Sequence, residues 1–220
     1  MQVIPAPLEK SSEDLYQQIK KLSPYFKRFQ VDIADGIFVP NRTVQIEDIS
    51  AAMKQWDNKI LSGLTFDFHL MVKDYESEIK KLTKLRKSMI IKNVFIHFSL
   101  LPNYQLLATT YPQFSFGLVL NPEDSVENLT KRYTLNALPY IQIMSVTPGF
   151  QGSPFIPETL LKFKKLREKK YQGDLFLDGA INKDTLPTIK SLQFQPDYLC
   201  IGSFLTKSPD LQKSLSDLKL

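Results

Sequence analysis

The chain has 220 residues, 43% of them hydrophobic and 23% charged, a balance that suits one large globular domain with a sizeable core and excludes a disordered segment. Its single cysteine, Cys200, excludes an internal disulfide and any Cys-cluster metal site. The net charge of +5 and pI near 9.1 permit an anionic partner. However, the basic groups Lys80-Lys81, Lys84, Arg86-Lys87, Lys164-Lys165, Arg167 and Lys169-Lys170 lie in helix-like segments mixed with Glu and Leu. That is the pattern of solvated helix faces and not of a nucleic-acid groove.

Taken in order, strand-like runs alternate with helix-period segments. Val3 to Ala6 reads as a strand, and Ser11-Ser12-Glu13-Asp14 opens a helix through Leu22 with acidic residues in its first turn. Phe29 to Ala34 is the second strand and Ile46 to Trp56 a helix; Leu64 to Leu70 and the helix Tyr75 to Leu85 follow, the latter with Ile79, Leu82 and Leu85 on one face. Ile91 to Phe98, Phe114 to Leu120 and Tyr140 to Val146 are strands, separated by helical segments at Leu101 to Thr109 and Ser125 to Leu129. The helix Pro157 to Lys169 starts with a proline. Leu175 to Leu177, a helix at Lys183 to Leu192, Tyr198 to Ile201 and a helix at Pro209 to Leu218 complete the series. Eight strand–helix units predict a closed parallel (β/α)8 TIM barrel, a single domain over residues 1–220. An open doubly wound sheet is the alternative, but no glycine-rich dinucleotide fingerprint follows the first strand. The roughly eighteen consecutive apolar residues of a membrane span are absent, and the N-terminus lacks the basic flank and apolar stretch of a signal peptide. The expectation is a soluble cytoplasmic protein with no membrane partner.

The stretch Phe29 to Asn41 carries most of the chemical signal. Period-two alternation places Gln30, Asp32 and Ala34 on one face, with Val31, Ile33 and Asp35 on the other. A carboxylate on a buried face needs a proton, a cation or a metal. Capping of the next turn is the simpler reading of Asp32 and Asp35 from this stretch alone. Glycines supply a second signal. Gly36, Gly149, Gly152, Gly179 and Gly202 fall at or just after strand ends, where barrel active sites form. The loops Thr147 to Gly152, Asp178-Gly179-Ala180 and Ile201-Gly202-Ser203 can bring backbone N–H groups close to an anion, although glycines in such places also serve as plain turn formers. Cys200, in an apolar run, reads as a small core residue.

Six stretches then give a resemblance. Val31 to Asn41, Asp67 to Val72, Gly117 to Pro122, Met144 to Gly152 with Phe155-Ile156-Pro157, Leu177 to Ile181, and Gly202-Ser203 occur in the order found in the ribulose-phosphate 3-epimerase family, which the chain resembles over nearly its whole length. The resemblance implies a metal-dependent epimerase acting on ribulose 5-phosphate and xylulose 5-phosphate. A divalent ion (manganese, iron, zinc or cobalt) is implied, held by two histidines and two aspartates, with the aspartates also serving as acid and base. Carried over by motif, Asp32, His69 and Asp178 match three ligands. Gln30 stands where the family has the fourth, a histidine; an amide oxygen is a weaker donor for zinc or iron but acceptable to harder ions.

The same resemblance implies catalytic Asp32 and Asp178, and a substrate and phosphate pocket from Met71, Met144, Gly149, Gly152, Gly179, Ala180, Gly202 and Ser203, with Asn121 near a strand end. His97 matches a family histidine and reads as packing or orienting, not ligating. Asp35 reads as a turn-bonding residue. Ala6, Ala34, Gln151 and Ala180 depart from the family pattern; the first three keep open epimerisation of another ketose phosphate, and Ala180 with Gln151 narrows the backbone's approach to a phosphate. Gln30 keeps open a non-catalytic phosphate-ligand protein. A homo-oligomer is implied, although no interface patch is identifiable.

Overall fold

A computed structural model describes residues 1–218. Eight parallel strands, β1 (Gln2–Pro5), β2 (Arg28–Ala34), β3 (Thr65–Met71), β4 (Ile90–His97), β5 (Ser115–Leu120), β6 (Tyr140–Met144), β7 (Asp174–Asp178) and β8 (Tyr198–Ile201), form one sheet. Its ladder runs β1-β8-β7-β6-β5-β4-β3-β2, so β1 and β2 are its two ends. They lie alongside one another, and the sheet curls into a nearly closed (β/α)8 barrel.

The helices that return the chain between strands are α1 (Ser12–Leu22), α2 (Ile46–Ala52), α3 (Asn58–Leu61), α4 (Tyr75–Leu85), α5 (Tyr104–Thr110), α6 (Val126–Arg132), α7 (Leu161–Glu168), α8 (Leu186–Lys190), α9 (Ser203–Thr206) and α10 (Leu211–Asp217). Their starts are set by side-chain caps. Ser11, Asp74, Asn103, Ser125 and Asp210 each accept from a backbone N–H in the first turn. The apolar faces, such as Leu15, Ile19 and Leu22 on α1 and Ile79, Leu82 and Leu85 on α4, bury against outward strand residues including Val31, Ile33, Phe68 and Leu70. A second, smaller cluster of Ile4, Phe95, Val119, Phe176 and Cys200 fills the barrel interior. Strands buried on both faces are ordinarily near-continuous apolar runs, which makes the buried polar residues of β2, β3, β4, β6 and β7 conspicuous.

Three predicted helices differ from what forms. The segment Ile46 to Trp56 is not one helix: α2 stops at Ala52 and Asp57 caps a separate one-turn α3, although Met53 and Trp56 still bury and so prolong the helical pattern in the sequence. Lys183 to Leu192 is helical only over α8, because Asn182 Oδ1 accepts from the backbone N–H groups of Asp184 and Thr185 and holds a turn there. Pro157 to Lys169 begins as a 3-10 turn over Pro157–Leu160 before α7. The one-turn α9, directly after β8, was not expected.

Candidate active site

Register places the polar interior residues. β2 pairs with β3 so that Asp32 lies beside His69 and Gln30 beside Asp67, while β6 pairs with β7 so that Met144 lies beside Asp178. Curling the sheet then carries Asp178 round to β2. The ligand atoms of Asp32, His69 and Asp178 come within 4.8 Å of one another, and all three residues are buried. His69 Nδ1 is 3.2 Å from Asp32 Oδ1 and 3.6 Å from Asp178 Oδ2.

Two buried amides serve the carboxylates. Gln30 Nε2 donates to Asp32 Oδ1 at 3.0 Å and to Asp178 Oδ2 at 2.7 Å. Gln142 Nε2 donates to the same Asp178 oxygen at 3.0 Å and lies 3.4 Å from His69 Nδ1, leaving Gln142 Oε1 buried without a partner. Gln30 Oε1 accepts from the Cys200 thiol at 3.2 Å. Burial, reinforced by the neighbouring Asp32 charge, raises Asp178 well above the ordinary carboxylate range. One carboxyl of the pair therefore retains a proton under conditions where an exposed aspartate would lose it.

Behind His69 lies a second imidazole. His69 Nε2 and His97 Nε2 are 2.9 Å apart, His97 Nδ1 is 2.9 Å from Asn121 Oδ1, and the Phe38 ring sits over His97 with centroids 4.7 Å apart. Burial, then the adjacent His69, lowers the His97 pKa far below that of a free imidazole, so His97 is neutral. It orients His69 and does not join the ligand cluster. Lys162 of α7 anchors the end of β5 from outside, its buried ammonium donating to the carbonyls of Asn121 at 2.5 Å and Pro122 at 2.8 Å.

All the substrate residues carried over by motif line one pocket above these groups: Met71, Met144, Gly149, Gly152, Gly179, Ala180, Gly202 and Ser203 share it with Asp32, His69 and Asp178. Gly179 has φ +115° and its missing Cβ would stand 2.6 Å from Val146, so only glycine fits there. Ala180 follows with φ +50°, a left-handed conformation that glycine tolerates better. Gln151 packs its amide against Gly202, and its Nε2 is buried without a partner. The roof is tied across by Asn41 Nδ2 donating to the Gly149 carbonyl at 2.6 Å. Asp35 turns away, accepting from the backbone N–H groups of Ile37, Phe38 and Lys73. A larger hollow of about 590 Å³ between Leu101 to Gln105 and Lys131 to Leu138 carries no carboxylate or imidazole and offers no such chemistry.

The sequence reading missed Gln142 and the part played by Cys200. Neither had a local signal: Gln142 shares a strand face with Met144 and Cys200 points into the barrel, not out towards the helices, but only closure of the sheet brings them to the carboxylates. Gln30 was expected to offer oxygen to an ion, whereas its NH₂ end faces the carboxylates.

The donor set of two carboxylates and one imidazole suits a divalent cation, and neutral amide hydrogens alone leave the two acidic groups without a counter-charge. Fold and site together define a (β/α)8 barrel protein whose reactive groups gather at the C-terminal ends of the strands. The chain belongs to the ribulose-phosphate 3-epimerase family, whose sequence profile matches residues 2–205. It is 26% identical over 196 residues to the ribulose-phosphate 3-epimerase of Bacillus subtilis (86% of this chain, 84% of that protein). It is 27% identical over 226 aligned positions to that of Helicobacter pylori strain ATCC 700392 / 26695 (100% and 97%). Among solved structures, a thiamine phosphate pyrophosphorylase from Pyrococcus furiosus has a similar fold, with TM-score 0.59 at 15% identity over 99% of this chain and 93% of that one. Among the described residues, no helix is long and apolar enough to cross a membrane.

Proposed function

We propose that this chain interconverts D-ribulose 5-phosphate and D-xylulose 5-phosphate by proton transfer at C3, with Asp32 and Asp178 as the acid–base pair, in the cytoplasm. The observation that carries the reading is the convergence of two buried carboxylates from β2 and β7 on one pocket, beside His69 and beneath the glycine-lined loops. Removing the C3 proton next to a C2 carbonyl generates an enediolate, and returning a proton to its other face inverts the centre. Two carboxyl groups suffice, provided one starts ionised and the other protonated. Burial and the neighbouring Asp32 charge, which raise Asp178, support such an inequality in the metal-free chain.

A divalent ion held by Asp32, His69 and Asp178 would supply positive charge against the enediolate oxygens. His69 is held in orientation by His97, and His97 by Asn121. Met71 and Met144 border the sugar, while the backbone around Gly149, Gly152, Gly179, Ala180, Gly202 and Ser203 takes the phosphate. A second reading, the same chemistry on another ketose phosphate, is favoured by Gln151, whose amide stands against Gly202 within the phosphate-binding rim. The test is interconversion of the two pentulose phosphates by metal-stripped protein re-supplied separately with manganese, iron(II), cobalt, zinc and magnesium. Turnover restored by a metal and lost in Asp178→Asn is the expected result. Absence of turnover with every metal, in folded protein, overturns the proposal.

A further inference from the structure

Gln30 is wholly buried, and its amide spans two unlike partners. The Nε2 end bridges Asp32 and Asp178 at 3.0 and 2.7 Å, whereas the Oε1 end accepts from Cys200 Sγ at 3.2 Å. A half-turn about the Cγ–Cδ bond exchanges these ends with almost no change in shape. Most partners on the far side would forbid the exchange, because a carboxylate or carbonyl only accepts and an ammonium only donates. A thiol does both weakly. Asp178 Oδ2 would not be stripped of amide donors by the turn, because Gln142 Nε2 reaches it independently at 3.0 Å.

We infer that Gln30 is a two-position ligand: in metal-free protein its NH₂ group takes the cation's place between the carboxylates, and a divalent ion turns the amide over. Oε1 then joins Asp32, His69 and Asp178 as a fourth donor, and Nε2–H donates to the Cys200 sulfur. The resulting set has three oxygen-bearing side chains and one imidazole, a harder site than one with two imidazoles, so manganese and magnesium gain ground on zinc. The inference rests on reading Asp32, His69 and Asp178 as a metal centre and is independent of which sugar is turned over.

The test uses the full metal-stripped chain, dialysed against Mn²⁺ and Zn²⁺ singly and in competition, with bound metal measured by elemental analysis. Gln30→Met is expected to lower Mn²⁺ affinity by about tenfold or more, and Gln30→His to raise the Zn²⁺ to Mn²⁺ ratio by about tenfold over wild type. Since Gln30→Met removes three buried hydrogen bonds and can fail to fold, a second measurement needs no substitution at that site. In ¹⁵N-labelled wild-type protein, the Gln30 side-chain NH₂ protons should move upfield when diamagnetic Mg²⁺ saturates the site, as they leave carboxylates for sulfur. Cys200→Ser, which also donates and accepts, should preserve that shift. An unmoved Gln30 signal, or the same metal ratio in wild type and Gln30→His, overturns the inference. Uptake of no cation by any variant overturns both it and the metal centre. Gln30-dependent uptake without epimerase turnover supports it while removing only the proposed substrate.

Discussion

The two ends of the barrel interior each bury carboxylates, and they treat them in opposite ways. At the floor, Asp67 is wholly buried and paired with Arg28 Nε at 2.8 Å, and the guanidinium lies over the Tyr198 and Phe176 rings at 4.7 and 5.4 Å. Burial lifts Asp67 to about 6 even against that partner. At the mouth, Asp32 and Asp178 have only neutral amide donors and an imidazole around them. A carboxylate whose counter-charge is covalently part of the chain is structural. Carboxylates supplied with shape and hydrogen bonds but no fixed charge are left ready for a mobile one, whether a proton or a metal ion.

The sharpest way to break this comparison is to neutralise the mouth. Asp178→Asn and Asp32→Asn should each lower kcat for pentulose phosphate interconversion by about a thousandfold, within the range expected for a positioned acid or base. Thermal melting of the two variants checks that the fold persists. The floor should respond the other way. Asp67→Leu strands the Arg28 charge and should cost about 3 kcal/mol in urea unfolding, with kcat within about twofold of wild type. A large loss of kcat at unchanged stability would erase the distinction between the two ends.

Removal of an ion held by Asp32, His69 and Asp178 should act on the mouth alone. Chelation should abolish turnover and lower the melting temperature, while re-addition of an ion at about a hundred times its Kd should restore about 2.7 kcal/mol of stability in calorimetry. The Asp67→Leu variant should show the same increment, because its lesion lies elsewhere. The smallest effect is expected at the rim, where Ala180→Gly relieves the left-handed backbone. A gain of about 0.5 kcal/mol is expected in urea unfolding, and a loss would show that the Ala180 methyl contributes packing that outweighs the strain.

Much of this was legible in the sequence, for reasons that differ by residue. The period-two alternation of β2 puts Gln30 and Asp32 on one face without reference to anything else, and α4 announces itself by a capped start and one apolar face. Contacts closed by the curl of the sheet are another matter. Gln30 meets Asp178 across 148 positions and Cys200 across 170, and no local pattern encodes either; the first was inferred from family resemblance and the second was not inferred at all. Gln142 went unread because one amide in a short apolar strand looks the same from sequence whether it faces a site or an edge. Helix ends failed where a side chain made a better local bond than the helix, as Asn182 does ahead of α8.

The ladder's two ends have a dynamic consequence. Because β2 pairs with β3 on one side and forms no ladder with β1 among the described residues, the strand bearing Gln30 and Asp32 borders the seam of the barrel. Opening the barrel there breaks no continuous ladder, so the seam is where the sheet parts at least cost in hydrogen bonds. Deuterium should therefore reach the amides of β1 and β2 before those of β4 to β6. The two carboxylates of the mouth would then straddle a boundary, with Asp178 on β7, two ladders in from β1, and Asp32 on the strand that breathes.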